Sequence, residues 1–133
     1  MPLNLTYVAA AVLQKQEGQV LLVQRPPTRS MAGLWEFPGG KLESREPPEQ
    51  ALIREMEEEL NLKIAPSDLK PLTFVSHPYG EFHLVMFVYH CRNWQGTLEL
   101  RENQLNYAWV APINLKNFAM PEADLPILEI LCN

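Results

Sequence analysis

Between Gly39 and Leu62 the chain reads GGKLESREPPEQALIREMEEELNL, which sets a glycine pair, two adjacent prolines and seven glutamates within twenty-four residues. Proline lacks an N–H and clashes inside a helix, so Pro47 and Pro48 are tolerated only where a helix begins. The spacing predicts a helix from about Pro48 to Asn61. Glu46 and Glu49 suit its positive end. At about 100° per residue, Leu52, Ile53, Met56 and Leu60 fall within an arc of roughly 100°, and Glu55, Glu58 and Glu59 fall within an adjoining arc of similar width. One face is therefore core, and acid lines its edge. Glu57 points away from both, toward solvent.

Glutamates three and four apart repel by roughly 0.2–0.5 kcal/mol per pair, and these lie in the C-terminal half of the helix, where the dipole also disfavours anions. Something positive must offset that cost. An acidic run is most often a solvated face, but the spacing around this one argues otherwise. Gly40, five residues, Glu46, seven residues and then Arg54-Glu55-Met56-Glu57-Glu58-Glu59-Leu60-Asn61-Leu62 resembles the Nudix box, the signature of hydrolases acting on nucleoside diphosphates linked to another moiety. One position departs from the pattern, because Asn61 stands where the family has glycine. Asn is the non-glycine residue best tolerated in the left-handed conformation that ends helices, so the same backbone turn is expected. VQRPPTRSMAGLWEFPGGK before the box and PEADLPIL near the end look like the MutT branch, which cleanses nucleotide pools.

At 133 residues the chain fits a single domain, residues 1–133, large enough to bury a core without disulfides. A net charge of −5 argues against a nucleic-acid polymer as partner, because such binders carry a basic footprint. A small nucleotide arriving with a divalent metal is compatible. Cys91 and Cys132 are too few and too far apart to form a disulfide framework, so they read as reduced thiols in a cytoplasmic protein. His77, His83 and His90 lack zinc spacing. The apolar run Tyr7 to Leu13 is short and follows no basic residue, so it reads as a buried strand and neither a signal peptide nor a membrane span.

Taken in order, Leu5 to Gln14 and Val20 to Val23 read as two strands of one hairpin. Pro26 to Gly33 is a surface loop, Leu34 to Phe37 is extended, and Pro38-Gly39-Gly40 forces a turn that lets backbone approach a ligand. After the helix come a turn at Pro66-Ser67-Asp68, a strand at Leu72 to Ser76, a turn at Pro78 to Glu81, and a long strand from Phe82 to Cys91. The even positions of that last strand, Phe82, Leu84, Met86 and Val88, form an apolar row. Leu98 to Leu100 can extend the sheet, and Glu102-Asn103-Gln104 is a polar loop before Tyr107 to Val110. Pro112 to Phe118 is a short helical stretch, and Asp124-Leu125-Pro126 looks like a capped helix start. The expected fold class is α/β with a mixed sheet and helices on both faces, and the resemblance implies the same Nudix-type α/β/α sandwich.

The resemblance also implies roles. Mg²⁺, with Mn²⁺ as a substitute, would be held by Glu58 and Glu59, by Glu55 as ligand or helper of the attacking water, and by the Gly39 carbonyl. Carboxylates on one helix turn plus substrate phosphates suit such a hard cation. Glu55, Glu58 and Arg54 would serve catalysis, with Arg54 orienting a glutamate through its forked guanidinium. Gly40 and Glu46 are structural, Glu46 bracing the loop or simply meeting the helix dipole. Glu102 is either a further metal ligand or a solvated loop residue. Arg25 resembles the arginine that contacts the nucleotide, Lys41 is a candidate phosphate contact, and Trp35 and Phe37 read as core aromatics. Asp124 occupies the position that contacts the base in MutT relatives, and a plain helix cap is its alternative. The implied reaction is Mg²⁺-dependent hydrolysis of 8-oxo-dGTP to 8-oxo-dGMP and pyrophosphate. A (d)CTP or modified-pyrimidine nucleotide pyrophosphohydrolase is the alternative, and a non-catalytic nucleotide-binding module is a remote one. The protein is expected to be a monomer or a dimer.

Overall fold

A computed structural model describes residues 4–102 and 104–132, so Asn103 of the polar loop lies outside the described residues. The strands are β1 (Leu5–Leu13), β2 (Val20–Gln24), β3 (Trp35–Glu36), β4 (Gly39–Lys41), β5 (Lys70–Tyr79), β6 (Phe82–Cys91) and β7 (Asn106–Val110). The helices are α1 (Pro48–Leu60) and α2 (Leu125–Leu131). A four-stranded mixed sheet runs β4-β1-β6-β5, and a three-stranded antiparallel sheet runs β3-β2-β7. β1 is central, antiparallel to β4 and parallel to β6.

That centrality explains the unbroken apolar run of β1. Ala9, Ala11 and Leu13 belong to the core beneath α1, with Leu52, Met56 and Leu60. Ala10 and Val12 belong to a second core with Leu22, Phe37, Met86 and Ile127 of α2. A strand buried on both faces needs apolar residues at both parities, which is why period-2 alternation is missing there. Leu52, Met56 and Leu60 are fully buried, and each contributes about 1.5–3 kcal/mol of transfer free energy, so packing holds α1 despite its acidic edge.

Asn61 ends α1 as expected, at φ 61° and ψ 30°. Its N–H donates to the Glu57 carbonyl and the Leu62 N–H to the Met56 carbonyl. Its side-chain amide also donates to the Thr97 carbonyl at 3.1 Å, a bond glycine could not make.

Five local expectations are corrected. β1 and β2 do not form a hairpin: after the single bridge Gln14↔Val20 they part into different sheets, because β1 already has partners on both edges. Gly39 and Gly40 are not a turn but strand β4, and neither has positive φ. Pro78 and Tyr79 stay in β5, leaving Gly80 and Glu81 as the turn. Leu98 to Leu100 is not a strand: the Glu99 and Arg101 N–H groups instead bond the Leu60 and Glu59 carbonyls, satisfying acceptors that the last helical turn leaves open. Asp124 precedes α2 but makes no side-chain cap bond. Among the described residues no helix is long and apolar enough to cross a membrane.

Candidate active site

The α1 edge is organised by Arg54. Its Nε and Nη2 donate to the two Glu46 carboxylate oxygens at 2.8 and 2.9 Å, a bidentate geometry that fixes the guanidinium plane. Nη1 then donates to Glu55 at 2.8 Å and to Glu58 at 3.3 Å, and Nη2 reaches the Lys41 carbonyl at 3.2 Å. Glu46 also accepts the Glu43 N–H at 2.9 Å. The Arg54 hydrogen bond, followed by that backbone N–H, lowers its carboxyl to about 2. Glu46 thus bonds both the loop backbone and the arginine.

The three glutamates differ sharply in surroundings. Glu58 is half exposed, with 50% of its side chain open, whereas Glu55 is mostly covered at 14%. Glu59 is buried and accepts a hydrogen bond from Gln104 Nε2 at 2.7 Å. Burial first, then a hydrogen bond to Glu55 and its charge, hold the Glu59 carboxyl far above the carboxylate range. Glu55 and Glu58 bond Arg54 while Glu59 bonds Gln104, and among the described residues no three ligating groups converge as a ready metal cage. The donor chemistry nonetheless fits a hard divalent ion: two carboxyls press together under cover, and Arg54 compensates only Glu55. Gly40 completes the cradle, since a Cβ there would lie 2.7 Å from both Glu55 oxygens.

Gly39, Gly40 and Lys41 also line a cavity of about 560 Å³ whose other walls include Arg25, Glu36, Phe37 and Asp124. Arg25 donates from Nη1 to Glu36 at 2.7 Å and from Nε to the Ser30 carbonyl at 2.9 Å. Its guanidinium thereby fastens the Pro26–Gly33 loop to β3. Burial raises the Glu36 carboxyl against the opposing pull of Arg25. Lys41 is exposed at the cavity wall. Trp35 packs edge-on against Phe118, and Phe37 is buried core that shows one side to the cavity.

Asp124 is 5% exposed and accepts the Phe37 N–H in a long 3.4 Å contact. Burial, then the charge of Glu36, push its carboxyl up to about 8 from 3.8. The folded state thus keeps a proton that the unfolded chain releases near pH 4, so the stability of the folded state falls as pH rises from about 4 to about 8. Each pKa unit is worth about 1.4 kcal/mol. Asp124→Asn should melt with wild type at pH 4 and several degrees above it at pH 8 in metal-free buffer. An equal difference at both pH values would show that the carboxyl ionises normally.

Two residues here escaped sequence reasoning. Gln104 ties the polar loop to the site, donating to Glu59 while its carbonyl accepts the Glu102 N–H at 3.2 Å. Glu102 itself is exposed, but its charge acts on Glu59. In the sequence Glu36 is only one member of the extended stretch Leu34 to Phe37. Nothing in the order of residues signals either contact.

Residues 9–130 match the NUDIX domain family. The chain is 34% identical over 125 residues to the CTP pyrophosphohydrolase of Escherichia coli K12, covering 92% of this chain and 87% of that one. It is 38% identical over 92 residues to the 8-oxo-dGTP diphosphatase of Proteus vulgaris, covering 69% and 80%. Its fold matches the crystal structure of the MutT NUDIX hydrolase from Burkholderia pseudomallei with a TM-score of 0.85 at 28% identity, over 95% of this chain and 97% of that one.

Proposed function

The chain belongs to the NUDIX domain family, a hydrolase acting on the phosphoric anhydrides of nucleotides, and from that premise we propose that it converts 8-oxo-dGTP to 8-oxo-dGMP and pyrophosphate. In this reading Glu55, Glu58, Glu59 and the Gly39 carbonyl would hold Mg²⁺, with Glu102 as a further candidate from the loop. A divalent ion so held neutralises phosphate charge and acidifies bound water. Arg54 keeps Glu55 oriented through its 2.8 Å bond, and Glu46 keeps Arg54 in plane. Arg25 and Lys41 supply positive charge along the cavity that receives the nucleotide.

Asp124 carries the substrate reading. It is buried on the cavity wall, makes no cap bond, and is held largely neutral at pH 7. A neutral carboxyl offers one donor and one acceptor, which complements the O6 acceptor and N7–H donor of 8-oxoguanine. Intact guanine offers acceptors at both positions and is refused. The same pair also complements the N3 acceptor and N4 amine of cytosine, and the similarity to a CTP pyrophosphohydrolase keeps that second reading in play.

The test is kcat/KM for 8-oxo-dGTP, dGTP, dCTP and 5-methyl-dCTP from pH 6.5 to 9, in wild type and Asp124→Asn. An amide donates and accepts at every pH, whereas the carboxyl becomes acceptor-only above about pH 8. Wild type should lose roughly tenfold of its preference across that range, the scale of one hydrogen bond to a buried edge, while Asp124→Asn keeps it. Comparing both proteins at one pH cancels ionisation of the nucleotide. Parallel profiles would remove Asp124 from base reading, and a preference for dCTP throughout would replace 8-oxo-dGTP as substrate.

A further inference from the structure

The turn that presents Asp124 has no cap of its own. A 3₁₀ turn at Glu122–Asp124 leads directly into α2, and neither start carries a side-chain cap bond. The first N–H groups of such a start need acceptors from elsewhere. One is supplied across 44 residues: the Ala123 N–H donates to the Tyr79 hydroxyl oxygen at 2.8 Å. Tyr79 is the last residue of β5, and its ring is held by Phe82, stacked at 5.4 Å, and by His77, tilted at 4.6 Å. His77 Nε2 in turn meets Glu122 at 3.0 Å. The β5–β6 hairpin end therefore grips the turn at two successive residues, Glu122 and Ala123, immediately before Asp124. Tyr79, Phe82 and Asp124 all line the same cavity.

We propose that Tyr79 is a specificity-determining positioning residue: its hydroxyl caps the Ala123 N–H of the Glu122–Asp124 turn and so fixes where the Asp124 carboxyl stands on the cavity wall. The proposal rests on the reading of Asp124 as base reader.

Tyr79→Phe removes the acceptor and keeps the ring, so it isolates the hydroxyl. Its expected effect is a threefold to tenfold loss of discrimination among the four triphosphates, the scale of one hydrogen bond. That loss should enter through KM with kcat within about twofold, because the phosphate chemistry is untouched. A merely structural role would lower Tm without moving the base ratios. The decisive comparison is the same substitution in an Asp124→Ala background, where the ratios should show no further change. Unchanged ratios for Tyr79→Phe alongside collapsed ratios for Asp124→Ala would overturn the proposal. So would a Tyr79→Phe shift that persists in full without Asp124, which would mean that the ring or hydroxyl touches the base itself. If Asp124→Ala alone leaves the ratios intact, the base-reading premise fails and the proposal falls with it.

Discussion

Glu59→Gln should lower kcat by about 10²-fold or more with the fold intact, and EDTA should bring wild type to a comparable floor. The amide keeps the shape and can still bond Gln104, but withdraws a charge that a cation would need; several kcal/mol of transition-state stabilisation correspond to at least that factor. Stability distinguishes this from general damage. The folded state raises the Glu59 carboxyl above its unfolded value, so metal-free wild type loses stability through this group as pH rises above about 4.5, and the glutamine variant lacks that contribution. Metal-free melting temperatures should coincide near pH 4 and favour the variant at pH 8. Added Mg²⁺ should reverse the order, because a ligand that binds only the folded state stabilises it, and more so the tighter it binds. A variant with wild-type turnover and an undiminished Mg²⁺-dependent rise in Tm would take Glu59 out of the ligand set.

The sequence predicted α1 and its acidic edge to within a residue, because prolines, periodicity and the Asn61 stop are all local signals that agree. Where it misled, local signals were shared by two structures. Two apolar runs joined by Gln16-Glu17-Gly18 look identical whether the strands pair or cross between sheets; what decides is that β4 and β6 occupy both edges of β1, and β6 is some seventy residues away. Asp124 before Leu125-Pro126 has the signature of a cap, yet its carboxyl turns to the Phe37 N–H of a distant segment. The bonds of Gln104 to Glu59 and of Arg25 to Glu36 are likewise products of folding. The acidic arc of α1 with Arg54 and Glu46 beside it was legible, and the contacts that Gln104 and Glu36 bring from distant segments were not.

The glycine pair turns one such ambiguity into an experiment. Glycine in a Pro-Gly-Gly sequence suggests positive φ, but both residues sit in β4 with ordinary backbone angles, so each is required by what a Cβ would meet. At Gly39 it would drive into β1 backbone, reaching the Ala9 carbonyl oxygen and lying 2.8 Å from Ala10 Cα and 2.9 Å from the Ala9 carbonyl carbon. β1 is the buried centre of the sheet and cannot yield, so β4 must separate from it. Gly39→Ala should therefore cost about 3 kcal/mol or more, a fall of roughly 10 °C in Tm. At Gly40 the Cβ would meet only the Glu55 carboxyl, the end of a flexible side chain that can swing aside. Gly40→Ala should lower Tm far less than Gly39→Ala, since turning one side chain costs about 0.5–1.5 kcal/mol. Yet relieving the contact moves that carboxyl by about 1 Å and loosens its 2.8 Å bond to Arg54. A displacement of that size at a reacting centre costs about 10²-fold in rate. Adjacent alanines should thus separate cleanly, Gly39→Ala failing in a thermal melt and Gly40→Ala failing in a turnover assay while folding normally. Wild-type turnover in Gly40→Ala would mean that the Glu55 position seen here is not the working one.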